Sequence, residues 1–505
     1  MSVVRQRVFR NAYRDSVELM RIAAEIEHLP GVIRAGLVMC TPANLAIVTD
    51  AGLGKGLDPA AGPNDMVVAL AAKDDEAAEA AFERAATLMR GAGEESPGDG
   101  RRFVPTTIAE ALGELPEANL ALISTPGPYA AAEALKALKR GLHVFLFSDN
   151  VSIHDEIDLK RLGARKGLLV MGPDCGTAIL DGVPLGFANV VRRGGVGLVG
   201  ASGTGLQQVT CLLDAFGAGV SQAIGVGGRD LHEEIGGLMM LAGLERLAAD
   251  DGTNVIVLIS KPPDAPVAAT VLAAAAAVSK PVVVNFLGGD AEPIRAAGAH
   301  PAATFEEAAR TAARLSLGAE PVSLDGDEPE ARLLEGDDAL GPGRIAGLFS
   351  GGSLASEAKV VLKDLLGAEV AADQQIVDLG DDEYTVGRPH PMIDPRLRSE
   401  KIVEAGQNPA VSVILLDIVL GYASHPDPAG ALVPAIEAAR RAATEGGRRL
   451  AVVASVCGTP GDPQGLAGQR EILIDAGVHL AASNARAARM AGLMVQPAAM
   501  REVPA

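Results

Sequence analysis

The sequence contains no tryptophan and only four cysteines, Cys40, Cys175, Cys211 and Cys457, none in a Cys-x-x-Cys pair. That excludes a disulfide framework and a zinc site built on paired cysteines, and it fits a reduced, cytoplasmic compartment. Basic residues are scarce: 44 Lys+Arg against 64 Asp+Glu leave a net charge of −20. Nucleic-acid phosphates need a basic face, so nucleic acid is not the expected partner. No apolar stretch follows Arg5, Arg7 and Arg10, as a secretory signal would require. No membrane span is expected either. The Ala-rich run 265–278 is broken by Pro266 and falls short of the ~20 residues a bilayer needs, so it reads as a buried helix.

Hydrophobic residues make 48% of the 505, enough for several cores, and roughly 150 residues per domain gives three or four domains. The 59 glycines and 31 prolines lie between apolar runs, which points to many tight strand–helix turns. Residues 1–100 read as a small βαββα, ferredoxin-like module, with a capping box at Asp15 and Glu18, and a second helix capped by Asp74 that puts Ala78, Phe82, Ala85 and Met89 on one face. Residues 101–192 alternate short apolar strands (NLALIST, HVFLFSD, LLVMG) with helices, the pattern of a parallel sheet covered on both faces. A second α/β unit, 193–320, opens on VGLVGASGTG. An acidic linker follows at 321–342, and a third unit, 343–505, repeats the second. VGLVGASGTGLQQV matches IAGLFSGGSLASEA, NVIVLIS matches VSVILLDIVLG, PVVVNFLGG matches LAVVASVCG, and the closing segments around His300 and His479 share nine of 16 positions. Two such copies are expected to pack about a pseudo-twofold axis with equivalent loops facing each other.

Both copies carry a Gly-rich strand–helix turn, Ser202-Gly203-Thr204 and Gly351-Gly352-Ser353. Such turns present free N–H groups and a positive helix end, which suits phosphate or a carboxylate. A helix end contributes ~0.3–1 kcal/mol, up to ~2, whereas catalysis must lower a barrier by ~8 kcal/mol or more, so directed hydrogen bonds and a charged partner are also required. Asp174-Cys175-Gly176 lies at a strand's carboxyl edge, where open α/β sheets place ligands. A reactive Cys175 would need a depressed pKa. The densest polar cluster is GRPHPMIDPR, where three prolines stiffen a segment bearing Arg388, His390, Asp394 and Arg396. Two further loops follow strands of the last unit: one carries His425 and Asp427, the other Cys457, Gly458 and Thr459. For each of these the alternative is a packing role, and His300 and His479 read as structural. No spacing argues for a metal site.

The strings GRPHPMIDP, GYASHPDPAGAL, ASVCGTPGDPQ and MGPDCGTAI resemble the FdrA family, relatives of succinyl-CoA synthetase, and the similarity covers nearly the whole chain. The resemblance implies a Rossmann-like CoA-binding-type domain at 101–192 and two repeated flavodoxin-like domains of the synthetase type, α-ligase-like at 193–320 and β-C-terminal-like at 343–505. It also implies that the paired turns cradle phosphate. Three departures stand out. His300 lies in AGAHPAA rather than Gly-His-Ala-Gly, ISKPPDAP with Lys261 replaces a Gly-Glu-Ile-Gly-Gly segment, and nothing resembles a nucleotide-binding ATP-grasp domain. FdrA-type proteins are similar to a subunit of oxamate carbamoyltransferase, which implies phosphorolysis of oxalurate to oxamate and carbamoyl phosphate in allantoin nitrogen catabolism. Phosphate would then be a substrate, with further carbamoyltransferase subunits as partners in a hetero-oligomer. Arg388, His390 or Arg396 would bind the carboxylate or stabilise the oxyanion, with Asp394 orienting a neighbour. An acyl-CoA synthetase subunit using CoA and a noncatalytic scaffold subunit are the alternatives.

Overall fold

The computed structural model describes residues 2–12, 14, 16–41, 44–45, 48–49, 52–56, 58, 60–91, 105–324, 340, 343–385 and 389–496. Arg388, Asp15 and most of the acidic linker lie outside them. The chain forms two compact units, Met1–Glu114 with Asp382–Pro389, and Leu115–Asp381 with His390–Ala505.

In the first unit β1 (Val3–Phe9), α1 (Ser16–Glu27), β2 (Val32–Met39), β3 (Met66–Ala72) and α2 (Asp75–Gly91) follow in the expected βαββα order, and α3 (Ile108–Glu114) closes it. The antiparallel sheet runs β1-β3-β2, the strand order of a ferredoxin-like module. Asp74 accepts from the Ala77 N–H at 2.9 Å to cap α2. Ala78, Phe82, Ala85 and Met89 are all buried beneath it.

The second unit begins with β4 (Leu120–Ile123), α4 (Gly127–Lys139), β5 (His143–Leu146), α5 (Ile153–Lys166) and β6 (Val170–Met171), forming a three-stranded parallel sheet. The hairpin β7 (Thr177–Leu180) and β8 (Val183–Gly186), which lies within 101–192 in sequence, joins the next sheet through antiparallel pairing of β7 with β10 (Val220–Gly225). That sheet is completed by β9 (Arg193–Ala201), β11 (Val255–Ser260), β12 (Val282–Phe286) and β13 (His300–Pro301), with helices α6 (Gly203–Ala215), α7 (Leu238–Ala249), α8 (Ala265–Ala276), α9 (Ala291–Ala296) and α10 (Phe305–Leu317). Helix α8, expected to be buried, lies on the surface and hides Val267, Val271, Leu272 and Ala275 on one face. Its alanines are small enough for either environment, so composition alone misleads there.

The last sheet holds β14 (Arg344–Phe349), β15 (Gln375–Asp378), β16 (Val411–Val419), β17 (Ala451–Cys457) and β18 (His479–Ala481). Helices α11 (Gly352–Leu366), α12 (Ala368–Ala372), α13 (Asp382–Thr385), α14 (Arg396–Gln407), α15 (Pro428–Glu445), α16 (Leu466–Asp475) and α17 (Asn484–Val495) accompany it, with α13 in the first unit. Its order, β15-β14-β16-β17-β18, matches β10-β9-β11-β12-β13 strand for strand. The two copies therefore share one flavodoxin-like topology.

The copies share one core, in which Leu206, Val209 and Phe305 of the first pack with Leu354, Ala358 and Met490 of the second. Polar groups fix the alignment. Glu306 on α10 pairs with Arg486 on α17 at 2.7 Å and accepts from Ser483 Oγ at 2.6 Å. Glu357 on α11 accepts from the Phe305 N–H at 2.6 Å and from Asn484 Nδ2 at 2.8 Å. Burial pushes the Glu357 carboxyl up to about 7, although both hydrogen bonds oppose the shift. A raised carboxyl binds its proton more tightly in the folded chain, so its contribution to stability is present below the unfolded value near 4.5 and is lost as pH rises toward 7. The stability difference between wild type and Glu357→Gln, read from melts across pH 4.5–7, should change by ~3 kcal/mol. Parallel curves would show that Glu357 does not titrate in this window.

Candidate functional site

The two Gly-rich turns meet. Strand β9 ends at Ala201 and α6 starts at Gly203, with the Ser202 hydroxyl accepting from the Gly205 N–H at 3.1 Å as its cap. Ser202 Oγ also donates to Ser353 Oγ at 2.7 Å, across from one copy to the other, and both side chains are buried. The approach depends on glycine: a Cβ on Gly351 would lie 2.7 Å from the Thr204 methyl. Thr204 is only 7% exposed, and its hydroxyl has no hydrogen-bond partner among the described residues. Gly203 faces Gly176 and Thr177, with Thr177 Oγ1 3.6 Å from where its Cβ would stand, so the Asp174–Thr177 loop reaches the same junction.

A buried ion pair shapes the second turn. Asp417, near the carboxyl end of β16, accepts from the Ser350 N–H and the Gly351 N–H, each at 2.8 Å, and from Ser350 Oγ at 3.1 Å. Arg398 on α14 holds that carboxylate at 2.6 Å and also donates to the backbone carbonyls of Asp417 and Leu348. Burial lowers the Arg398 pKa, and the neighbouring Asp417 counters it. With those two amides committed, the N–H groups of Gly352 and Ser353 remain at the start of α11. Asp378, the last residue of β15, lies against them: its Oδ2 fills the space that a Cβ on Gly352 would need, and its Oδ1 accepts from the Gly380 N–H at 2.9 Å. Burial, first of all, raises the Asp378 carboxyl to about 6, while Lys261 acts in the opposite sense.

His390 stands beside Gly380, with Nε2 2.7 Å and Asp378 Oδ1 3.2 Å from where that glycine's Cβ would lie. Its ring packs against Phe187 with centroids 5.4 Å apart, and its Nδ1 accepts from the Met392 N–H at 3.3 Å. Burial pushes its pKa down to about 4, so the ring is neutral at physiological pH. Lys261 directly follows Ser260, which pairs in the ladder with Ala201, so its backbone stands beside Ser202 at the carboxyl edge. Lys261, Asp378, Asp417 and Arg398 carried no site assignment from sequence reasoning. The available signal was an aspartate inside the otherwise apolar run VSVILLDIV and another closing the strand QIVD.

The remaining expected residues take other places. Asp394 and Arg396 pair with each other at the edge of the loop, Arg396 Nε donating to Asp394 Oδ2 at 2.8 Å. His425 joins this loop through its N–H to the Met392 carbonyl at 2.7 Å, while Asp427 caps α15 through the Gly430 N–H. Cys457, Gly458 and Thr459 are used in packing. Cys457 Sγ lies 4.0 Å from Cys211 Sγ, Gly458 packs on Leu420, and Thr459 donates its hydroxyl to the Val190 carbonyl. Asp462 completes that clamp by accepting from Asn189 Nδ2 and the Val190 N–H, each at 2.8 Å. Cys175 is buried and its thiol is pushed up to about 12, so it stays protonated instead of acting as a nucleophile; Asp174 beside it is exposed. All four cysteines are free thiols.

Replacing Asp417 with Asn keeps the shape and strands a buried guanidinium without its counter-charge. Urea denaturation should show Asp417→Asn less stable by ~3 kcal/mol, within the ~3–5 kcal/mol cost of breaking a buried pair. A loss below ~1 kcal/mol would mean that the pair does not hold the turn.

Three family models match the chain: a CoA-ligase model over 348–494, a CoA binding domain over 191–288, and an AllF heavy metal-associated domain over 1–103. The CoA-binding match thus falls on the copy beginning at β9, where a ligase-type domain was expected, and not on 101–192. The residues of 1–103 do not fit a heavy metal. Cys40 and His28 are the only cysteine and histidine there, and burial raises the Cys40 thiol. Among the described residues no cluster of metal-binding side chains occurs. No described helix is long and apolar enough to cross a membrane. The Escherichia coli protein YahF is 41% identical over 493 residues, 94% of this chain and 95% of its own. The succinate–CoA ligase alpha 2 subunit of Archaeoglobus fulgidus is 30% identical across 41% of this chain and 71% of its own. The alpha subunit from Methanothermobacter thermautotrophicus is 29% identical, and the chain spans 58% of its length. The chain belongs to the same family as YahF, and that family is succinyl-CoA synthetase-like, joining CoA-binding and CoA-ligase domains in one polypeptide.

Proposed function

We propose that the chain is the subunit of a cytoplasmic FdrA-type carbamoyltransferase that passes the carbamoyl group of oxalurate to inorganic phosphate, releasing oxamate and carbamoyl phosphate. The observation that carries this reading is the meeting of the Ser202–Thr204 and Gly351–Ser353 turns, with the two repeat-equivalent histidines, His300 and His479, remote from them. His300 pairs in the ladder with Val283, while Ser202 follows Ala201, level with Phe286 across the sheet. Three strand spacings and four residues separate them, on the order of 20 Å. His479 sits equally deep in its own ladder, opposite Val453. Direct attack by phosphate on a carbamoyl carbon needs no phosphohistidine, no nucleotide and no resident metal.

In this reading phosphate binds the free amides of Gly352 and Ser353 and the hydroxyls of Thr204 and Ser353. Lys261 supplies the positive charge for the substrate carboxylate, a task expected of Arg396, which Asp394 instead occupies. Neutral His390 offers its Nε2 proton to the carbonyl oxygen as charge develops there. The Asp174–Gly176 loop forms the wall nearest Ser202. The free thiols fit a reducing compartment.

The CoA-ligase and CoA-binding matches favour a second reading, an acyl-CoA synthetase subunit that draws nucleotide from a partner chain. One assay separates them: the chain with its co-expressed neighbours, tested for phosphate-dependent carbamoyl phosphate formation beside ATP- and CoA-dependent ligation. Carbamoyl phosphate is expected, with the KM for phosphate raised about 10-fold in Ser353→Ala, as for one lost hydrogen bond to a charged group. Ligation accompanied by phosphate on His300 would replace this reading with the second.

A further inference from the structure

We propose that Asp378 is the catalytic acid of the junction, delivering a proton to the leaving nitrogen as the carbamoyl group passes to phosphate. The inference rests on the phosphorolysis reading above. Three features place Asp378 in that role. It ends β15 level with Phe349 in the ladder, so its side chain emerges beside the Ser350 turn. The Gly380 N–H holds Oδ1 at 2.9 Å, while Oδ2 has no partner among the described residues and rests over the first residue of α11. His390 Nε2 and Asp378 Oδ1 lie 2.7 and 3.2 Å from the same Cβ position on Gly380, so the carboxyl and the ring border one space.

The surrounding charges divide the labour. Lys261, just past β11, favours the carboxylate, whereas Asp417 from β16 and Asp381 disfavour it, and burial outweighs them all. Arg398 is spent on Asp417. The carboxyl therefore keeps a proton to about pH 6, while His390, pushed down to about 4, carries no spare proton at neutral pH. Two groups with pKa values driven apart are an acid and a neutral hydrogen-bond donor.

The step balances without any further reactant. An oxygen of hydrogen phosphate forms a bond to the carbamoyl carbon, and the bond from that carbon to the amide nitrogen breaks. The nitrogen takes the Asp378 proton with the bonding pair and leaves as a primary amide. The proton of the attacking phosphate then restores Asp378. In the reverse direction the carboxylate must accept a proton, so the pH dependence inverts.

The test measures kcat in both directions between pH 5 and 8 for the wild-type complex, Asp378→Asn and Asp378→Glu. Wild-type phosphorolysis should fall as pH rises through about 6 while the reverse reaction rises. Asp378→Asn should lose about 10²–10⁴-fold in kcat with the KM for phosphate changed less than about 3-fold, lose both limbs, and recover part of the rate as Asp378→Glu. Wild-type pH profiles and rates in Asp378→Asn would overturn the assignment of Asp378 alone. Absence of phosphorolysis in the wild-type complex at every pH would overturn the carbamoyl-transfer reading and the acid with it.

Discussion

The amino ends of α6 and α11 meet through a hydroxyl contact of 2.7 Å, and the organisation of this region follows from that approach. Each helix start carries partial positive charge and unpaired N–H groups. Bringing two together is unfavourable unless negative charge or acceptors accompany them. The protein provides acceptors on one side through Asp417, which takes two amides of the second turn, and Asp378, whose carboxyl rests over a third residue. A tetrahedral anion bearing acceptors on every side answers the remaining demand.

Duplication makes the approach possible. Two copies of one parallel sheet pack on a common core, and the identical strand order brings the equivalent turns together. Clamps at Glu306–Arg486 and Glu357–Phe305 hold the copies in that position, and Asp462 ties the second copy to Asn189, just ahead of the first. Helix ends alone contribute at most ~2 kcal/mol each, well short of what catalysis requires. Directed donors and a group able to move a proton must supply the difference, and in the proposed reaction those tasks fall to Thr204, Ser353, His390, Lys261 and Asp378.

Much of this was legible in the sequence because it depends on local periodicity and on repetition. Alternating apolar runs marked the parallel strands, the four matched segments disclosed the duplication, and the glycines of both turns marked the junction. What was not legible depends on distance in space. The prominence of CGTPGDPQ suggested a substrate loop, yet Thr459 and Asp462 are clamp residues bonded to Val190 and Asn189 more than 260 positions away. Arg396 looked available in the sequence, but Asp394 holds it. Asp378 closes one strand and Asp417 interrupts another, and only the fold shows that both carboxyls face the same turn. The surface position of α8 was hidden for a different reason, because alanine does not distinguish core from surface.

The central claim is that the two turns form one anion site. Diffraction from crystals of the chain grown with phosphate tests it most directly. The account predicts a tetrahedral ion within ~3 Å of the amides of Gly352 and Ser353 and of the Thr204 hydroxyl. An ion bound instead beside His300, with the Ser202–Ser353 junction closed against it, would contradict the account.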